Sequence, residues 1–215
     1  RKHVRAMNFY TPCDIIPLRS DSCHGAATTQ ASLNSPSQPL SLPISETELD
    51  DIGFLKSIRI SDPCRPLIGY LNINSLRNKI IDLRVIMHEF LPDILAISET
   101  KLDSSFPVAQ FAVGDYFLPI RKERNQYGGG LILFIRKGTI YIRKADFELS
   151  QFCECLTIEP SVKKKTWFIM SLYRPPTSGQ TDHFFTELST FMNQAINRYD
   201  NIIIMSDINI DTGKI

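Results

Sequence analysis

Four short stretches of the chain set acidic, amide or phenolic side chains directly at the end of an apolar run. They are Leu71-Asn72-Ile73-Asn74-Ser75, Ile97-Ser98-Glu99-Thr100, Ser171-Leu172-Tyr173-Arg174-Pro175 and Met205-Ser206-Asp207-Ile208-Asn209. Apolar runs of this length suit buried strands, and strand ends are rigid. Several such ends can converge on one cleft and pre-organise polar groups drawn from distant parts of the sequence. Each stretch also has a plainer reading. Asn72 or Asn74 could cap a helix or close a turn, and Asp207 with Asn209 could form an Asx turn. Glu99 could pair with Lys101, and Tyr173 has the build of a rim aromatic. It is the order and type of the four stretches together that favour a site.

The elements that would position these groups can be read from periodicity. Residues 67–73 form a continuous apolar run, as a buried strand does. Residues 78–90 shift to helical spacing, with Ile80, Leu83, Met87 and Phe90 on one face. Pro92 breaks that helix, and residues 93–98 form a second buried run. Strand, helix and strand at this spacing predict a crossover between parallel strands. Past Glu99 the pattern turns antiparallel. Gly128-Gly129-Gly130 opens a strand at 131–135, and Lys137-Gly138 turns the chain into another at 140–143. Runs at 155–158 and 167–173 flank Lys163-Lys164-Lys165, which reads as a hairpin turn on a solvated loop. Residues 182–199 predict an amphipathic helix carrying Phe184, Phe185, Leu188, Phe191, Met192, Ala195 and Ile196, with Thr181 as its N-cap and Asp182 at its positive end. Residues 201–205 are the last buried run. The fold class is α/β, with two stacked mixed β-sheets flanked by helices.

Composition narrows the function classes less than the motifs do. The 215 residues are 43% hydrophobic and 22% charged, which is ordinary globular composition, and the net charge of +1 carries no nucleic-acid signature. The five cysteines show no disulfide framework, and Cys153 and Cys155 fall on one face of a strand as reduced apolar residues. That usage fits an intracellular location, nuclear or cytoplasmic. His3, Cys13, Cys23 and His24 match no standard zinc spacing. No apolar run reaches bilayer length and no signal peptide is evident, so no membrane partner is expected. Residues 1–62 read as a disordered or weakly structured leader, rich in Ser, Thr, Gln, Asn and Pro between residues 20 and 43. Ser45 and Glu48 there outline a capping box for a short helix. Residues 63–215 read as the folded domain.

The four stretches resemble the motifs of the endonuclease/exonuclease/phosphatase superfamily, which includes DNase I-like nucleases and apurinic/apyrimidinic endonucleases. An apolar strand ending in N-x-N is seen as Asn72-Ile73-Asn74. A strand ending in S-E-T is seen as Ser98-Glu99-Thr100, a Y-R-P-P turn as Tyr173-Arg174-Pro175-Pro176, and the G-D-(F/I)-N motif as Ser206-Asp207-Ile208-Asn209. The Ile97-Ser98-Glu99-Thr100-Lys101-Leu102 and Tyr173-Arg174-Pro175-Pro176 variants, with the Gly128–Gly130 triplet before an apolar strand, look most like the endonuclease domains of non-LTR retrotransposons. The resemblance spans residues 66–215 and implies a four-layer DNase I-like sandwich, incomplete at the C-terminus.

The resemblance also implies roles. Glu99 corresponds to the magnesium ligand, a hard oxygen donor for Mg2+ or Mn2+, with Asn72 helping to place the metal and the scissile phosphate. Tyr173 corresponds to the phosphate-contacting tyrosine, Asp207 to the aspartate that positions or deprotonates water, and Asn209 to the amide that steadies the transition state. The implied reaction is in-line hydrolysis of DNA, nicking a retrotransposon target site, with a reverse transcriptase region elsewhere on the element's protein. Two departures stand out. Ser206 replaces the usual glycine. The chain also ends before the motifs that supply a further aspartate and a phosphate-binding histidine, and neither His88 nor His183 stands in by position, so weak or absent activity is expected. The alternatives are a non-catalytic remnant or binding module, or a phosphoinositide or sphingolipid phosphodiesterase on the same fold.

Overall fold

Alternation along the strands decides the layering. In the computed structural model, which describes residues 7–10 (backbone only), 60, 66–149, 153–176 and 181–209, two five-stranded sheets form. The strands are β1 (Met7–Tyr10), β2 (Ile68–Asn72), β3 (Ile94–Ser98), β4 (Ile120–Lys122), β5 (Leu131–Ile135), β6 (Ile140–Arg143), β7 (Glu154–Val162), β8 (Lys165–Thr166), β9 (Phe168–Tyr173) and β10 (Ile202–Asp207). One sheet runs β1-β2-β3-β5-β4. The other runs β10-β9-β7-β6, with β8 hairpinned onto β7. Each sheet is mixed. β2 and β3 are parallel across helix α1 (Ile80–Phe90), and β9 and β10 are parallel across helix α2 (Thr181–Ile196). The remaining pairings are antiparallel.

Three buried clusters make the sandwich four layers deep. Ile68, Tyr70, Ile94, Ala96 and Leu133 of the first sheet pack against Leu156, Ile158, Ile169, Ile203 and Met205 of the second. The alternate residues Leu71, Leu95, Ile97, Ile132 and Phe134 face the other way, onto Leu83 and Met87 of α1. Phe168, Met170 and Leu172 likewise turn outward onto Phe184 and Ala195 of α2. This is the expected arrangement of stacked mixed sheets between helices, and the crossover and the lysine-run hairpin hold with it, but Lys137-Gly138 does not close a hairpin: β5 lies in the first sheet, whereas β6 crosses to the second and pairs with β7.

Local chemistry explains the boundaries. α1 ends at Leu91, which takes a left-handed cap at φ 46° and donates its N–H to Met87 before Pro92 bars continuation. Buried Asp93 then ties three strands at one end. Its carboxylate accepts the Leu67 N–H at 2.9 Å and lies 3.7 Å from the Arg136 guanidinium. Lys163 and Lys164 form the two-residue hairpin between β7 and β8, both at positive φ (51° and 65°), as the right-handed strand twist requires.

Two further details differ from the sequence reading, and one part of it is not tested. Met7–Tyr10 lies within the stretch read as a leader, yet pairs antiparallel with β2. The capping box at Ser45 and Glu48, and the cysteines and histidines before residue 60, fall outside the described residues. The apolar stripe of α2 is narrower than expected. Phe184, Leu188, Phe191 and Ala195 face the sheet at helical spacing, while Phe185 and Ile196, one position on, are 41% and 48% exposed.

Candidate functional site

Period-two geometry carries the inter-sheet face of each strand to its end. Asn72 follows Ile68 and Tyr70 on that face. Ser98 follows Ile94 and Ala96, Tyr173 follows Ile169, and Asp207 follows Ile203 and Met205. Register aligns the ends, because Asn72 pairs with Ser98 and Asp207 with Tyr173. Four polar groups therefore meet at one mouth of the gap between the sheets.

Asn72 is the hub. It is buried, and its side-chain nitrogen donates to Glu99 Oε1 at 3.0 Å and to Asp207 Oδ2 at 2.6 Å. Its oxygen accepts the backbone N–H of Asn74 at 3.1 Å, which fixes the amide's orientation. In this arrangement Asn72 orders the two carboxylates and turns its nitrogen, not its oxygen, toward them. Tyr173 is buried and donates its hydroxyl to Glu99. Burial, then the charges of Glu99, Glu154 and Asp207, hold the Tyr173 phenol well above its ordinary pKa. It stays a protonated donor through the neutral range. Tyr70, deeper on the same face, is raised mainly by burial and donates to Ser98 Oγ at 2.8 Å.

Backbone strain gathers at the same place. Asn74, Ser75, Glu99, Lys101 and Asn209 hold positive φ, five of the eight non-glycine residues that do so among the described residues. Such conformations cost about 1–3 kcal/mol each and persist only where neighbours impose them. Here the loops brace one another. Ser75 and Leu76 N–H groups donate to the carbonyls of Glu99 and Thr100 at 2.7 and 2.9 Å. Thr100 and Lys101 N–H groups donate to those of Gly130 and Gly129 at 3.2 and 2.9 Å.

Asn209 sits beside this cluster. Its side-chain nitrogen donates to the Arg174 carbonyl at 3.0 Å, stitching the ends of β9 and β10 together. An amide nitrogen carries a second hydrogen for another acceptor. Ser206 lies within β10, paired with Leu172 and exposed, and its φ is not left-handed, so no glycine-only conformation is needed there. His88 and His183, the histidines among the described residues, are exposed on α1 and α2.

One participant went unread in the sequence, and another stood in a motif without a role of its own. Glu154 opens β7 opposite Tyr173 and faces the same cleft, where burial pushes its carboxyl up while the Gly130 N–H, Arg124 and Lys122 pull it down. Its signal was the alternation with Leu156 and Ile158, which shows only once β7 is extended back to residue 154. Arg174 is buried and donates to Thr181 Oγ1 at 3.0 Å, with its guanidinium 5.6 Å from the Phe184 ring centre. It fastens the Tyr173 turn to the start of α2.

The donors gathered here are hard oxygens. Glu99 and Asp207 offer hard oxygens bridged by Asn72, and among the described residues no three His, Cys, Asp or Glu gather into a full cage. One or two carboxylates plus water is one way in which magnesium is held, and structural zinc sites are instead closed, mostly by nitrogen and sulfur. Among the described residues no helix is long and apolar enough to cross a membrane.

Neither the comparison with protein-family models nor that with curated proteins gives a match. Among solved structures the chain is similar to the 3′-5′ exonuclease NExo from Neisseria meningitidis, at 19% identity and a TM-score of 0.46 over 66% of this chain and 56% of that one. It is also similar to D. rerio TDP2 complexed with single-strand DNA product, at 14% identity and a TM-score of 0.47 over 67% of this chain and 60% of that one. For an AP endonuclease from Archaeoglobus fulgidus the values are 17% and 0.44, over 66% of this chain and 57% of that one. The matched region thus spans less than two thirds of each of these proteins.

Proposed function

We propose that this cleft hydrolyses phosphodiester bonds in DNA with a hard divalent cation, magnesium or manganese, and that its setting is target-site nicking by a non-LTR retrotransposon. The observation that carries the reading is the Asn72 bridge. It joins Glu99 to Asp207, which lies 135 positions from Asn72 in sequence, and it does so with the residue types of the nuclease motifs. The setting rests on the Ser98-Glu99-Thr100 and Tyr173-Arg174-Pro175-Pro176 variants and on the Gly128–Gly130 triplet before an apolar strand.

A cation held by Glu99 and water, beside Asp207, would supply positive charge against the charge that grows on the phosphoryl oxygens. The chain's own residues do the rest. Asp207, oriented by Asn72, takes a proton from the attacking water. The water oxygen bonds to phosphorus as the bond from phosphorus to O3′ breaks in line. O3′ takes a proton from solvent, leaving a 3′ hydroxyl and a 5′ phosphate. Tyr173, kept protonated, turns its one O–H from Glu99 to a phosphoryl oxygen, and Asn209 offers its second N–H to another oxygen of the crowded phosphoryl group.

The test is nicking of supercoiled plasmid with protein in excess, so that slow cleavage registers. Expected are nicks that need magnesium or manganese, vanish in Glu99→Gln and Asp207→Asn, and can be extended by a DNA polymerase from their 3′ ends. Hydrolysis of phosphoinositide vesicles with DNA left intact would overturn the substrate. No cleavage, together with no Glu99-dependent Mn2+ binding, would overturn the chemistry.

A further inference from the structure

Glu99 can serve as a ligand only if its left-handed backbone is held, and the grip comes from two loops. On one side are Ser75 and Leu76. On the other are Gly129 and Gly130, whose carbonyls accept from Lys101 and Thr100. The glycine loop is in turn anchored by a side chain on the opposite sheet. Glu154 Oε2 accepts the Gly130 N–H at 2.8 Å, and Oε1 lies 3.7 Å from the Arg124 guanidinium.

The fit around that carboxylate is close. Gly129, at φ 71°, passes so near that a Cβ would stand 2.5 Å from Glu154 Oε1. A Cβ on Gly130, at φ 88°, would stand 2.4 Å from Thr100 Oγ1. The positive φ favours glycine at both places, and a Cβ there would press on the side chains of Glu154 and Thr100.

We propose that Glu154 is a positioning residue: it fixes the Gly129-Gly130 loop, which locks Thr100 and Lys101 and so aims the Glu99 carboxylate into the cleft. The inference rests on the reading of Glu99 as a metal ligand. Outer groups that orient a ligand typically change metal affinity by about 10- to 100-fold when removed.

Two measurements test it together: amide hydrogen exchange without metal, and Mn2+ binding followed by electron paramagnetic resonance. In Glu154→Ala the Thr100 and Lys101 amides should exchange about tenfold faster and Mn2+ should bind about tenfold more weakly. Exchange at Ile169 and Met170 in β9 should stay as in the wild type. Glu154→Gln keeps an oxygen for the Gly130 N–H and should hold both readouts within about twofold. Gly130→Ala, which pushes on Thr100 directly, should repeat the Glu154→Ala pattern and serves if that variant does not fold.

Wild-type exchange and Mn2+ affinity in Glu154→Ala would overturn the proposal. So would equal losses in the Gln and Ala variants, or loss of protection throughout β9. If Mn2+ binding by the wild type proves indifferent to Glu99→Gln while Thr100 and Lys101 still loosen in Glu154→Ala, the metal reading fails and the loop anchor stands.

Discussion

Asn72→Asp changes one polar group at the hub and leaves the side chain's shape intact. The amide nitrogen now serves two carboxylates, Glu99 at 3.0 Å and Asp207 at 2.6 Å. Hydrogen bonds to charged groups contribute about 1.5–3 kcal/mol each, so losing both costs about 3–6 kcal/mol in chelator at neutral pH. That is a large part of the 5–15 kcal/mol typical of a folded domain, about as much as a small domain can lose. A third carboxylate beside two others also binds its proton more tightly in the fold than in the unfolded chain, so its pKa lies above the unfolded value. Its penalty is then fully present above that raised pKa and fades as pH falls toward the ordinary carboxylate range near about 4. A bound cation offsets the cost by mass action, about 2.7 kcal/mol at a hundred times its dissociation constant. Urea unfolding of wild type and variant, in chelator and in magnesium and at several pH values, measures all three effects. Equal stability of variant and wild type in chelator would refute Asn72 as a donor to both carboxylates. A variant that magnesium does not stabilise would refute the pair as a cation site.

Three further outcomes follow from other parts of the molecule. Tyr70 stays protonated in the fold above its ordinary pKa of 10.0, so stability should fall by about 1.4 kcal/mol per pH unit as pH rises beyond that value. Tyr70→Phe should be about 1 kcal/mol less stable at neutral pH and flatter above it, as denaturant midpoints up to about pH 11 would show. Phe134 is fully buried with its ring edge-on to Tyr116 at 6.5 Å, and Phe134→Ala should cost about 3–5 kcal/mol by the same measurement. Replacing Lys163-Lys164 by Asn-Gly should raise stability by about 1 kcal/mol, since both lysines hold positive φ in a tight hairpin, and an unchanged midpoint would count against strain there.

The strands and helices were legible because burial writes itself in period. Residues 68–72 and 94–98 are buried on both faces and read as unbroken apolar runs. The helices read at 3.6 spacing, with an error of one residue in where the stripe of α2 lies. β1 was not legible. Its pairing with β2 joins positions about sixty residues apart, as Met7 with Leu71 and Tyr10 with Ile68, and nothing local in Met7–Tyr10 marks it. β7 was read short at both ends, as 155–158 where the strand runs Glu154–Val162: Glu154 breaks the apolar run at its start, and Glu159, Pro160 and Ser161 break it at its end.

The same asymmetry holds within the site. Glu99, Tyr173 and Asp207 were legible because each ends a strand, so an apolar run points at it. Asn209 was legible as a motif member, though its present partner is the Arg174 carbonyl. Glu154 begins a strand instead, and β7 runs antiparallel to β9, so its start meets the others' ends. A site at the mouth of a mixed sandwich therefore has two sequence signatures: polar residues after parallel runs, and polar residues before antiparallel ones. Glycines at positive φ beside the second kind, as Gly129 and Gly130 stand beside Glu154, mark where the backbone must come close enough to be held.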